Sequence, residues 1–263
     1  MTTDAAVPSL ARMYDWLLGG SASHESDRAA VAALEQARSG AEISARANRA
    51  FLRSTVQRCL DAGIEQFVEL GSGLPNMGHV HEAAPGARVV YVDVEPAALA
   101  AGLPMLADNP DVAMIEADLR DVDRVLTDPA LTRLIDLSQP VALFLISVLH
   151  WLPRDQDPAD VVAAYRDRLA PGSLIAVSHL AGLEGEPAPG ADPGQEGTPS
   201  GWRLHVRSPA EVEAMFRGLH LMDPGLFDLL QSPFNAAAER PRLTSAHHQV
   251  IAGLGSVPAD AGL

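Results

Sequence analysis

The stretch "FVELGSGLPNMGHVHE", residues 67 to 82, decides the fold. It runs from an unbroken apolar segment into Gly71-Ser72-Gly73, the pattern of a strand that ends in a ligand-binding turn. Glycines there permit positive φ and let main-chain N–H groups approach a ligand with no Cβ in the way. A dinucleotide fingerprint needs G-x-G-x-x-G, whose third glycine makes room for a pyrophosphate on a helix N-terminus. In this chain the third position is Asn76, and an acid, Glu69, stands just ahead of the turn. A carboxylate repels a pyrophosphate and attracts a cation. The turn is therefore read as a site for a positively charged ligand, with the segment after it opening a helix.

Outward from the turn, short apolar runs alternate with helical stretches. "QFVEL" (66–70), "RVVYV" (88–92), "VAMIE" (112–116), "VALFLI" (141–146) and "LIAVSH" (174–179) are polar on neither face, which implies strands covered by helices on both sides. Segments such as "PAALAAGL" and "PADVVAAYRDRLAPG" supply those helices, and the class is α/β with a doubly wound parallel sheet. Pro104 is expected to end or kink the helix after the second strand. The first third reads helical, with a break at Gly19 and Gly20, helical spacing of Leu52, Val56, Cys59 and Leu60, and a stop at Gly63. Residues 1–62 are thus expected to form a helical cap over the ligand site, and 63–263 the sheet domain. The tail reads as one helix and a terminal pair of strands. Residues 181–201, rich in Gly, Pro and Ala, read as a loop after the fifth strand, either a lid on the ligand-binding edge or a surface insertion.

With 263 residues and 47% hydrophobic content the chain can bury one sizeable core. A formal net charge of −15 with no Lys/Arg stripe excludes nucleic acid and anionic membrane as partners, and favours a cationic or zwitterionic small molecule. The N-terminus lacks a basic-then-apolar signal, and the longest apolar run is about half of the ~20 residues that span a bilayer. A single cysteine, Cys59, excludes an internal disulfide and a cysteine metal cluster, as expected of a cytoplasmic protein. Neither His79 with His81 nor His247 with His248 is joined by a carboxylate cluster of ligand geometry, so no metal is expected.

Two more acids follow successive strands. Asp93, 24 residues after Glu69, ends the second strand, where a carboxylate can accept from both hydroxyls of a ribose. Asp118 follows the third strand in "EADLRD", where it could accept from an adenine amino group. The ammonium and sulfonium of S-adenosylmethionine gain from nearby carboxylates, so this cofactor suits the whole set. At the fourth strand, "FLISVLHWLP" carries Ser147 and His150 off the same edge.

This layout resembles the class I S-adenosylmethionine-dependent methyltransferases, with "ELGSG" as the glycine motif, "YVD" as the ribose acid and "ADLRD" as the adenine loop. More closely it resembles an actinobacterial methyltransferase-like family once catalogued as a domain of unknown function. "ARMYDWLLGG", "SARANRAFLR", "GSGLP", "VHE", "VVYVD", "EADLRD", "VLHWL", "LAPGSLIAVSH" and "DPGL" carry that resemblance over nearly the whole chain. It implies a Rossmann-like seven-stranded sheet, mostly parallel, with a terminal antiparallel hairpin. It implies contacts to the cofactor from Glu69, Gly71, Ser72 and Gly73 at the turn. Asp93 with Val94 would serve the ribose, Asp118 with Leu119 the adenine, and Ser147 and His150 would complete the wall. The "YDWLLGG" segment should fold over the bound cofactor, with Tyr14, Gly19 and Gly20 near its methionine end. The chain departs from its relatives where they read Lys-Asp-Asn and an aromatic after the paired glycines and this one has Ser21, Ala22, Ser23 and His24. It also has Asn76 and His79 where they commonly have Thr and Asn.

Two chemistries follow. Methyl transfer to a small-molecule O, N or C nucleophile needs mostly alignment, worth up to ~7 to 11 kcal/mol, plus a base where the nucleophile must lose a proton. His24, His79 and His150 are the candidate bases, with Tyr14 a further catalytic candidate. Alternatively S-adenosylmethionine is itself the substrate: its deprotonated amine or α-carbon attacks the γ-carbon, expels methylthioadenosine and closes a cyclopropane- or azetidine-type amino acid. His24 or His79 would then be the base. A non-catalytic cofactor-binding protein is a third reading. A nicotinamide oxidoreductase is disfavoured by Glu69 and the absent third glycine.

Overall fold

The Val/Ile/Leu/Phe runs lie side by side in the computed structural model, which describes residues 4–37, 40–76, 78–182, 203–231 and 249–259. Three helices come first: α1 (Leu10–Leu17), α2 (Glu25–Ala37) and α3 (Ala41–Asp61). Then follow β1 (Gln66–Leu70), α4 (Val80–Ala83), β2 (Arg88–Asp93), α5 (Pro96–Leu106), β3 (Val112–Glu116), α6 (Val122–Leu126), α7 (Pro129–Leu134) and β4 (Ala142–Ile146). The chain continues through α8 (Pro158–Arg166), β5 (Leu174–Ala181), α9 (Pro209–Ala214), β6 (His220–Leu221), β7 (Phe227–Asp228) and β8 (Gln249–Ser256).

The sheet order is β3-β2-β1-β4-β5-β8-β6, and β1 to β5 are parallel. β8 runs antiparallel to β5 over eight residue pairs. β6 and β7, two residues each, both pair antiparallel with β8, at Ser256 and Gly255 and at Ala252 and Ile251. They act as one interrupted sixth strand, so seven positions cross the sheet. The chain reverses direction of travel across the sheet between β1 and β4, and the crevice at their carboxyl ends is where such sheets bind ligands.

Each central strand sends alternate side chains into two separate cores. Phe67, Val89, Tyr91 and Phe144 join Phe51, Leu52, Val56 and Cys59 of α3 on one face. Val68, Leu70, Val90 and Leu143 join Val125, Leu131 and Val162 of α6, α7 and α8 on the other. Burial of each large apolar side chain contributes about 1.5 to 3 kcal/mol, which is why strands polar on neither face settle here. Burial also pushes the Cys59 thiol up to about 12, which leaves it unreactive. Among the described residues no helix is long and apolar enough to cross a membrane. Helix starts follow from local chemistry: Asp157 accepts from the Ala159 N–H ahead of Pro158, and Ser208 with Glu211 forms a capping box ahead of Pro209. Arg12 and Asp27 form a buried ion pair at 2.6 Å that pins α1 to α2, and Asp27 also accepts from the Ser9 and His24 main-chain N–H groups.

Two local expectations differ from the structure. The turn does not open directly into a helix, because Pro75 supplies no N–H and Asn76 is tied to Asp15 through its side chain; α4 begins only at Val80 and lasts four residues. α5 runs through Pro104 to Leu106. The ring costs one bond in the last turn, where exposed Leu103 and Met105 leave water free to reach the backbone. The expected loop over 181–201 lies, from 183 on, outside the described residues, as do His247 and His248.

His179 on β5 is wholly buried. Its Nδ1–H donates to the Leu180 carbonyl at 2.6 Å, and Nε2 has no hydrogen-bond partner among the described residues. Burial pulls this imidazole down to about 3. The unfolded chain then binds a proton that the native chain refuses, so stability falls as pH drops from 6.5 toward about 3. Urea titrations are expected to show this as a loss of up to about 1.4 kcal/mol per pH unit that His179→Leu removes.

Candidate cofactor site

Gly71 and Gly73 both take left-handed conformations, with φ of 66° and 64°. The N–H groups of Gly71 and Ser72 donate to the Val92 carbonyl at 2.8 and 3.2 Å. A Cβ on Gly71 would lie 2.2 Å from Cγ2 of Val148, which follows β4, so that Cα must be bare. The Gly73 N–H donates to Asp93 Oδ2 at 2.7 Å, and Oδ1 of the same carboxylate accepts from the Glu95 N–H at 2.8 Å. The acid at the tip of β2 thus shapes the turn at the tip of β1. Burial raises the Asp93 pKa, and these N–H bonds oppose the rise.

Above these tips lies a cavity of about 510 Å³. Its floor is the turn, and α1 and α3 close it with Tyr14, Asp15, Asn48 and Arg49. Glu95 accepts from the Ala11 N–H at 2.9 Å and so holds the start of α1 over the β2 tip. At one end of the cavity Glu69 Oε2 is 3.2 Å from His79 Nδ1, and His79 Nε2 is 3.1 Å from Arg49 Nη2. Arg49 Nε and Nη1 are buried with no hydrogen-bond partner among the described residues, on a residue that lines the cavity. Arg49 is thus a half-buried cation with two donors that no protein group engages among the described residues. Asp15, also on the wall, accepts from the Ala22 N–H at 2.9 Å and from the Asn76 amide at 2.6 Å.

The family model of S-adenosyl methyltransferases matches residues 1–258. The chain belongs to that family. It is 37% identical to a protein of Thermobifida fusca YX described as a candidate methyltransferase, with 97% of each chain covered and a TM-score of 0.85. A DUF574-family protein from Streptomyces avermitilis is 28% identical over 97% of this chain and 99% of its own, with a TM-score of 0.82. The 1,6-didemethyltoxoflavin-N1-methyltransferase of Burkholderia thailandensis, 13% identical over 80% of this chain and 78% of its own, shares the fold at a TM-score of 0.50. No curated protein matches the sequence. The chain is accordingly a methyltransferase that uses S-adenosylmethionine.

Within this methyltransferase most of the expected cofactor residues meet at the cavity. Glu69, Gly71, Ser72, Gly73 and Asp93 line it, and Val94 is 45% exposed on its wall, an unusual setting for an apolar side chain. Asp118 and Leu119 line it as well. Arg120 chelates the Asp118 carboxylate and holds its pKa below the usual range, and the Tyr165 hydroxyl donates to the Leu119 carbonyl at 2.9 Å. Ser147 lines the cavity at a φ of 58°, rare for a side-chain-bearing residue, with its N–H on Ser178 Oγ at 3.0 Å. Tyr14 is on the wall with its hydroxyl donating to the Ala45 carbonyl. Burial pushes that phenol up to about 12, so it does not serve as a base at neutral pH.

The remaining candidates lie off the wall. Gly19 and Gly20 do not line the cavity; a Cβ on Gly20 would sit 2.1 Å from Asp15 Oδ1, so the bare Cα lets the chain fold back on the residue that does. His24 is exposed ahead of α2. His79 is buried behind Glu69. His150 sits in a one-turn 3₁₀ helix (Leu149–Trp151) that turns its ring under the wall against His179. Sequence reasoning missed Asp15, Asn48, Arg49 and Asn76, as well as His205, which reaches the wall because its N–H donates to the His150 carbonyl at 2.7 Å. A signal existed for Asn48, a polar residue on the buried Ala45-Leu52-Val56 stripe of α3.

Gly71→Ala is expected to lose about 1 to 2 kcal/mol to the left-handed backbone alone, plus the overlap with Val148. In denaturant titrations the double substitution Gly71→Ala with Val148→Ala recovers only the part of the overlap due to Cγ2, because Cβ of residue 148 would still lie 2.8 Å away.

Proposed function

We propose that this methyltransferase methylates a small-molecule acceptor, and that its cofactor lies with the amino acid end between Glu69 and Arg49. The observation that carries the reading is that Arg49, with two unpaired guanidinium nitrogens, and Glu69 line the same cavity. Opposite charges on one wall match a zwitterion, with the ammonium on Glu69 and the carboxylate on Arg49. Asp93 would take the ribose hydroxyls with its remaining lone pairs. Val94 and Leu119 would cover the adenine, and Asp118, already held by Arg120, would present an acceptor. Residues 1–62 would act as the cap through Tyr14, Asp15 and Arg49.

When bound, S-adenosylmethionine supplies a methyl group on a positively charged sulfur, open to in-line displacement. The chain's own residues contribute mainly alignment and exclusion of water by α1 and α3. Where an acceptor must lose a proton, His205 is the histidine on the cavity wall among the described residues. Burial, then Arg207, Arg154 and Arg203, lower its pKa, so it is neutral at pH 7 and able to take a proton. Ring closure by the cofactor's own amine would need a base at the amino acid end. His79 has both ring nitrogens engaged there, and His24 lies outside the cavity, so the geometry favours methyl transfer.

With S-adenosylmethionine alone the enzyme is expected to be silent, and with a suitable acceptor to release S-adenosylhomocysteine. Methylthioadenosine from the cofactor alone, seen by mass spectrometry, would overturn the reading. Calorimetry with S-adenosylhomocysteine is expected to show that Arg49→Met costs about 1.5 to 3 kcal/mol of binding, roughly 10- to 100-fold in affinity.

A further inference from the structure

His79 precedes α4 and is 1% exposed, so both ring nitrogens must find partners inside the protein. A carboxylate only accepts and a guanidinium only donates. Nδ1 therefore carries the hydrogen and donates to Glu69 at 3.2 Å, while the Nε2 lone pair accepts from Arg49 at 3.1 Å. Tyr91 packs edge-on against the ring, with centroids 5.4 Å apart at 86°. The Tyr91 hydroxyl is itself held by the His81 main-chain N–H at 3.1 Å and by His81 Nδ1 at 2.7 Å. The imidazole is locked in one tautomer and one orientation.

We propose that His79 is the positioning residue of the amino acid pocket: a neutral bridge that keeps the Glu69 carboxylate and the Arg49 guanidinium apart, and so makes the site selective for ligands with a zwitterionic end. This rests on the cofactor placement given above. Glu69 and Arg49 attract each other in a low-dielectric interior, and in direct contact each would spend its charge on the other. The ring engages Oε2 of Glu69 and Nη2 of Arg49, and takes up neither Oε1 nor the other two guanidinium nitrogens.

The bridge works only while His79 is neutral. A proton on Nε2 would set two donors against each other at Arg49. The groups that face the ring are Glu69 from β1, Arg49 from α3, Tyr91 from β2 and His81 from α4. Burial is the largest influence and holds the His79 pKa below 6.5, against the pull of Glu69. Affinity for the zwitterion is therefore flat at neutral pH and lost as pH falls through that lowered value.

The test is calorimetry on the full chain with S-adenosylhomocysteine and with methylthioadenosine, which keeps the nucleoside and thioether but lacks the amino acid. His79→Leu is expected to weaken S-adenosylhomocysteine about 10- to 100-fold while methylthioadenosine changes less than about two-fold. His79→Gln, whose amide carries a donor and an acceptor, is expected to keep most of the affinity and to lose the fall in affinity that the unaltered enzyme shows on acidification through the lowered His79 pKa. Equal losses for both ligands in His79→Leu, unchanged affinity for S-adenosylhomocysteine, or an acid limb that survives in His79→Gln would each overturn the proposal. Should His79→Leu fail to fold, the pH profile of His79→Gln decides alone. Failure of the unaltered enzyme to bind either ligand would instead remove the cofactor placement and the proposal with it.

Discussion

The 2.7 Å bond from the Gly73 N–H to the Asp93 carboxylate is the constraint around which the site is built. It joins the tip of β1 to the tip of β2 and gives a carboxylate only 9% exposed one of the two main-chain donors it needs. To reach that bond the chain must turn within two residues, which forces positive φ at Gly71 and Gly73. It also brings Gly71 against Val148, so the tip of β4 is fixed by the same turn. Three strand ends are thereby set at one edge before α1 and α3 close over them, and Glu95 extends the arrangement by holding the first turn of α1.

What could be read from the sequence follows from how local each signal is. β1 and β3 fall on the expected residues, 66–70 and 112–116, because each is a short, largely buried apolar run bounded by a polar residue, Gln66 at the start of β1 and the exposed Glu116 at the end of β3. β6 and β7 could not be read as separate pieces, since His220 and Leu221 are exposed and two residues carry no period. The turn and its acids were legible because Glu69, Gly71, Gly73 and Asp93 lie within one strand-turn-strand unit. Asp15, Arg49 and His205 were not, because they reach the cavity from elements distant in sequence, and a polar residue beside an apolar stripe reads the same whether it faces a ligand or a backbone carbonyl. The histidines show a further limit. Position at a strand tip did not reveal which way a ring leaves the chain, and His150 turned under the wall while His79 turned behind Glu69.

On the placement proposed above, the charge on the wall would suit the cofactor better than the methyl-depleted product. Asp118 is neutralised by Arg120, which leaves Asp15, Glu69, Asp93 and Glu95 opposite Arg49 and the exposed Arg203. Beyond the dominant effect of burial, Glu69 raises the pKa of Asp93, and Asp93 raises that of Glu95. A sulfonium relieves that repulsion and a neutral thioether does not. Loss of the methyl group removes the one positive charge at the cofactor's sulfur and leaves its zwitterionic end unchanged. On the placement proposed above, the wall would gain less from S-adenosylhomocysteine than from S-adenosylmethionine, and the difference would assist exchange of product for fresh cofactor.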